Sequence, residues 1–146
     1  MVAVMYKKIL VALENSTADK SLIPHIKELA KIHHSHLLLV HVADGWVARR
    51  YEDFKLKESD EMIKDREYLE ETAQNLRKEG LAVSTHLALG DPPQEILKIA
   101  EHQKCDLIAM TSHGHRFFAD LILGSTIEEV RHQTTIPLLI VKMGQR

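Results

Sequence analysis

A regular alternation of short apolar runs with longer helix-patterned stretches constrains this chain more than any single motif. Lys8-Ile9-Leu10-Val11-Ala12-Leu13 and His36-Leu37-Leu38-Leu39-Val40-His41-Val42 are nearly continuous apolar runs. So is Asp106-Leu107-Ile108-Ala109-Met110, whereas Pro137-Leu138-Leu139-Ile140-Val141, apolar with few charges, reads as an edge strand exposed to pairing. Runs of this length suit strands buried on both faces, because a strand with one wet face alternates instead. Val83-Ser84-Thr85-His86-Leu87-Ala88-Leu89 does alternate more, which places it at a sheet edge. Between these runs, 18–33 sets Leu22, Ile26, Leu29 and Ala30 on one helical face, and 58–79 does the same with Met62, Leu69, Ala73 and Leu76. A third helix buries Ile96, Ile99 and Ala100, and a fourth is expected over 125–133. This order predicts one α/β domain over 1–146: a doubly wound, parallel, five-stranded sheet with helices on both faces.

The connections carry their own signals. Glu14-Asn15-Ser16-Thr17 ends the first strand and offers helix-capping side chains. Pro24 deletes a hydrogen bond if it lies deep in its helix. Gly80 sits where a glycine cap belongs. Asp91-Pro92-Pro93-Gln94 reads as a capping residue, a proline at the first helical position and a capping-box glutamine. The 44–57 connection holds Trp46, Tyr51 and Phe54, which plug the sheet's end or form a lid or docking patch.

Charge narrows the partners. Nineteen Lys+Arg oppose 21 Asp+Glu, for a formal charge of −2, and the basic residues are not grouped. That leaves no electrostatic footprint for nucleic acid or an anionic membrane. No apolar run nears the roughly 20 residues that span a bilayer, and the first residues reverse the charge order of a secretory signal. The lone Cys105, read as inert packing, fits a reducing compartment, so a soluble cytoplasmic protein is expected. His33, His34 and His36 cluster at a helix end, where the dipole favours protonated histidine, and no acidic or cysteine partner adjoins them as a metal site would need.

The stretch 111–126 reads as a glycine-bracketed loop between a strand end and a helix start. Backbone N–H groups approach a phosphate readily in such a place, and the helix N-terminus favours an anion. It is not a P-loop, since the spacing differs and the loop holds no lysine. Ligands of doubly wound sheets sit beyond the C-terminal strand ends where the winding reverses, and Glu14, Asp44 and this loop all lie at such ends.

Taken together, the first strand and turn (8–16), the second strand, 106–110 with Ser112-His113-Gly114, Leu121-Ile122-Leu123-Gly124-Ser125 and the last strand resemble the universal stress protein family over nearly the full length. The resemblance implies a Rossmann-like sheet in the order 3-2-1-4-5 and a homodimer joined through the fifth strand, here 137–141. Some members bind ATP with a divalent metal such as Mg and others bind no nucleotide. The ATP-binding branch carries Gly-x-x-Gly, nine residues, then Gly-Ser or Gly-Thr. Gly114 and Gly124-Ser125 match that pattern with the nine-residue spacer, but Thr111 stands at the first glycine. Phe117 replaces a frequent glycine, and Glu14 stands where an aspartate is usual.

Carried over to this chain, the resemblance implies that Ala12, Leu13 and Val42 line an adenine slot. Glu14 faces ribose or, through water, the metal, while Met110 and Thr111 lie under the sugar and first phosphate. Gly114, Ser125 and Thr126, beside Gly124, cradle phosphates, with His113, His115 and Arg116 adding cationic contacts. No catalytic constellation emerges from the strand-end residues. Three readings stay open: an ATP-binding sensor or adaptor with a protein partner, a dimeric module that binds no nucleotide, and a weak ATPase or phosphate- or adenylate-transferring enzyme.

Overall fold

Successive residues of the apolar runs bury on opposite sides of one sheet, which is why those runs show no polar alternation. A computed structural model describes residues 5–43, 60–112 and 121–144, with the backbone alone at 121–125. The elements are β1 (Lys8–Ala12), α1 (Asp19–His33), β2 (His36–Ala43), α2 (Asp60–Arg77), β3 (Ala82–Leu89), α3 (Pro92–His102), β4 (Leu107–Ser112), α4 (Leu121–Gln133) and β5 (Leu138–Lys142). The strands form one parallel sheet in the order β3-β2-β1-β4-β5. Leu10 of central β1 aligns with Leu38 on one side and Ile108 on the other. The alternating strand β3 lies at an edge, as its sequence predicts.

Odd and even positions of β1 serve two cores. Ile9 and Val11 join Leu37, Leu39 and Ala109 under Leu22 and Ile26 of α1 and Leu69 and Ala73 of α2. Leu10 joins Leu38, Val40, Ile108 and Met110 under Ile96 and Ile99 of α3 and Val130 of α4. Each fully buried aliphatic side chain is worth about 1.5–3 kcal/mol, so the two helix layers hold the sheet from both sides. The crossover from β3 through α3 to β4 changes faces, so the winding reverses between β1 and β4. Asp106 ties the starts of these two strands, its carboxylate accepting from the N–H groups of Lys7 (2.8 Å) and Lys8 (3.1 Å).

Several local expectations need correction. β4 runs on through Thr111 and Ser112, which align with Val141 and Lys142 of β5 and so are strand rather than loop. α4 starts at Leu121, so Gly124 and Ser125 fall inside its first turns rather than ahead of it. Asp91 precedes α3 without a side-chain capping bond. At α1 the N-cap position is Ala18, and Pro24 is interior, removing one helical donor on the exposed side. Gly80 does end α2 in the left-handed region, at φ 88°, with its N–H on the Arg77 carbonyl (2.9 Å). Trp46, Tyr51, Phe54 and Asp44 lie outside the described residues.

Among the helix-end histidines, His36 departs from expectation. His34 is the left-handed residue that closes α1, its N–H bonded to the Ala30 carbonyl. His36 is disfavoured as a cation: burial, then the charges of Lys8 and Arg77, lower its pKa. Its Nε2 lies 2.7 Å from Ser84 Oγ across the β2–β3 pair. Burial pushes the Cys105 thiol up, which suits its packing beside Ile99 and Ile108.

Candidate functional site

Where the winding reverses, the crossover connections leave β1 and β4 toward opposite faces, and a cavity of about 210 Å³ opens at the strands' C-terminal ends. Ala12, Leu13 and Glu14 form one wall at the end of β1, and Val42 extends it on β2. Met110 and Thr111 at the end of β4 face them, and Thr126 of α4 closes that side. These positions, singled out from the sequence, therefore meet in one place. Gly124 and Ser125 lie in α4 just before Thr126, whereas His113, Gly114, His115, Arg116 and Phe117 lie outside the described residues.

Sequence reasoning missed Val40, His41, Pro92 and Ile96, which also line the cavity. Pro92 and Ile96 belong to the crossover helix, and only the reversal of the chain brings that helix over β1. His41 carried a signal, a lone polar group inside an apolar strand. Its Nδ1 lies 2.8 Å from the Leu13 carbonyl, which can only accept, so that nitrogen carries a proton. Its Nε2 lies 3.3 Å from Asp65 of α2, whose other oxygen accepts from the Asn15 amide at 2.8 Å. His41, Asp65, Asn15 and Leu13 thus close a polar ring that fastens α2 to the turn after β1.

A second carboxylate shapes the same turn. Asp19, 1% exposed, accepts from the N–H groups of Glu14 and Asn15, both at 2.9 Å, and from the Tyr68 hydroxyl at 2.6 Å. Asn15 is thereby held at φ 58°, a left-handed conformation that asparagine tolerates better than most residues. Glu14 leaves β1 in a fixed direction because its backbone is pinned. The 14–17 segment therefore receives its cap from inside the helix, from Asp19, with only Ser16 Oγ accepting from Ala18 N–H in the expected sense.

The chemistry of the cavity is divided. Ala12, Val40, Val42 and Ile96 supply apolar surface, and the polar groups are at its margins. Glu14 borders it on the β1 side, while the His41 imidazole turns to the other face of the sheet, toward Leu13 and Asp65. Thr111, 2% exposed, ends β4 beside the cavity, its side chain on the sheet face shared with Leu107 and Ala109. Among the described residues no cluster of three or more His, Cys, Asp or Glu side chains could hold a metal ion, and no helix is long and apolar enough to cross a membrane.

The sheet is open, doubly wound and parallel, with an apolar, polar-rimmed crevice at its point of reversal, the place where ligands of such folds sit. The model of the universal stress protein family matches residues 5–142. The chain is 30% identical to universal stress protein MJ0577 of Methanocaldococcus jannaschii over 96% of its own length and 97% of the relative's. The solved structure of MJ0577 superposes with a TM-score of 0.81, covering 98% of this chain and 100% of that one. A universal stress protein from Archaeoglobus fulgidus in complex with dAMP shares the fold at 22% identity and TM-score 0.68, over 94% of this chain and 99% of that one. Another, in complex with cAMP, does so at 18% identity and TM-score 0.68, over 96% and 99%. The chain belongs to the universal stress protein family.

Proposed function

We propose that this protein binds an adenine nucleotide, ATP in the first instance, in the cleft between β1 and β4 and acts as a nucleotide-dependent sensor or adaptor in the stress response. The observation that carries the reading is the apolar crevice at the point where the winding reverses, lined by Ala12, Val40, Val42 and Ile96 with Glu14 at its margin. Ala12, Val40, Val42 and Ile96 suit a purine ring, and Glu14 suits a sugar hydroxyl. The dAMP and cAMP complexes of the two neighbours support the same ligand class. Magnesium fits as a passenger of the phosphates, since it keeps most of its waters and needs only one or two carboxylates; Glu14 is the carboxylate within reach of the cleft.

The working form in this reading is a cytoplasmic homodimer paired through β5. That edge strand exposes Ile140 (38%) and half-buries Leu138 and Leu139, so pairing with a second copy covers an otherwise open edge. Calorimetric titration with Mg-ATP, beside an Ala12→Phe variant that fills the cleft, tests the reading. Saturable binding by the wild type that vanishes in the variant is the expected result. No binding up to millimolar nucleotide sinks it and leaves a dimeric interaction module, while steady phosphate release on binding moves the protein to the enzyme class.

A further inference from the structure

The two edges of the sheet are finished differently. Main-chain groups alternate sides along a strand, and the Gly90 N–H on the Ala43 carbonyl (3.2 Å) sets the phase for β3. Even-numbered residues of β3 therefore turn their N–H and C=O groups to β2, while Val83, Thr85, Leu87 and Leu89 turn theirs outward. The outward carbonyl of Val83 is taken. Arg77, the last residue of α2, donates to it from Nε at 3.1 Å and from Nη2 at 2.7 Å. Its Nη1 donates to Glu70 at 3.2 Å, and the other Glu70 oxygen accepts from the Thr85 hydroxyl at 3.0 Å. One guanidinium and one carboxylate thus clamp α2 across the rim of β3. On β5 the Ile108 N–H on the Pro137 carbonyl and the Met143 N–H on the Ser112 carbonyl set the phase, which turns Leu138, Ile140 and Lys142 outward. No side chain among the described residues takes their main-chain groups.

We infer that Arg77 seals the β3 edge against strand addition, so that a second copy of this chain can pair only at β5. The inference is independent of any ligand in the cleft. Two features favour a barrier over a brace. The Arg77 and Glu70 side chains are 40% and 48% exposed, and an ion pair so exposed adds little to stability. The guanidinium also stands at hydrogen-bonding distance from the outward Val83 carbonyl, the place that the N–H of an added strand needs. Charge set on an edge strand is a common defence against such pairing. A chain with one sealed edge and one open edge stops at two copies, whereas two open edges let a sheet extend from copy to copy.

Sedimentation velocity over a wide concentration range, with hydrogen exchange read by mass spectrometry, tests this on Arg77→Ala and Arg77→Met. The methionine variant keeps an apolar stem against α2 and removes every donor, so it decides the matter if the alanine variant unfolds. Either folded variant grows with concentration into species several times the wild-type mass. Exchange over 82–89 slows as they form, because pairing protects the outward amides, whereas a merely loosened α2 quickens it. A folded variant that keeps the wild-type mass at every concentration overturns the inference. So does growth in which exchange over 82–89 is unchanged or faster, since the new contact then lies elsewhere.

Discussion

Replacing Asp19 with alanine is the sharpest test of how the turn after β1 is held. The carboxylate gathers three donors from three places: two consecutive backbone N–H groups at 2.9 Å and the Tyr68 hydroxyl at 2.6 Å. A hydrogen bond to a charged group is worth about 1.5–3 kcal/mol, which gives a gross loss above 4 kcal/mol. Deleting the charge also removes its desolvation cost, so the net loss is about 3–5 kcal/mol, the usual result of removing one partner from a buried charged contact. For a chain of nearly 150 residues, about 2–4 °C per kcal/mol converts this to a melting temperature lower by roughly 10 °C. Circular dichroism melts and urea unfolding at neutral pH measure it directly. A double-mutant cycle with Tyr68→Phe isolates the hydroxyl's share, expected at about 1–2 kcal/mol of coupling. A loss below about 1 kcal/mol for Asp19→Ala refutes the reasoning, since the turn is then held by packing alone.

Two predictions concern pH. Burial first, then the bond to Asp19, raises the Tyr68 hydroxyl well above the ordinary tyrosine range. An unfolded tyrosine ionises near pH 10 while the folded one stays neutral, so this contribution is complete below pH 10 and is lost as pH rises above it. Tyr68→Phe therefore flattens the fall in the urea midpoint between pH 9.5 and about 11; parallel curves for the two proteins contradict the argument. His36 behaves in the opposite direction, because burial, Lys8 and Arg77 lower its pKa. Unfolded histidine takes up a proton near pH 6.5, so stability is full above that pH and declines as pH falls through the lower folded value. In His36→Gln the decline between pH 6.5 and about 5 is shallower, and an identical slope in unfolding titrations counts against the assignment.

The inner strands were legible because their apolar runs are buried on both faces, and the helices because their inward residues recur at helical spacing. Met62, Leu69, Ala73 and Leu76 all reach the core in register. Misreadings fell where backbone geometry decides without help from side-chain character. Thr111 and Ser112 look like loop residues, yet the ladder to β5 uses main-chain groups and extends through both. Asp19 looks like any first-turn acid, and its burial follows from Tyr68, 49 residues away, arriving over it. At the candidate site the strand-end positions were readable, since topology alone sends them to the crevice. Pro92 and Ile96 were not, because their place there depends on a helix crossing from one face of the sheet to the other.

The crevice at the reversal point exists because two connections leave adjacent strands in opposite directions, and no side chain had to be removed to make it. The opening and the choice of occupant are thus written in different parts of the sequence. Core residues such as Leu10 and Ile108 preserve the opening for as long as the sheet folds. In the nucleotide reading proposed above, a handful of rim positions, Glu14 and Thr126 among them, decide what it accepts. A chain built this way changes its ligand, or gives one up, by single substitutions that leave the scaffold intact. Relatives on the same frame are therefore expected to diverge first in chemical preference and only later in shape.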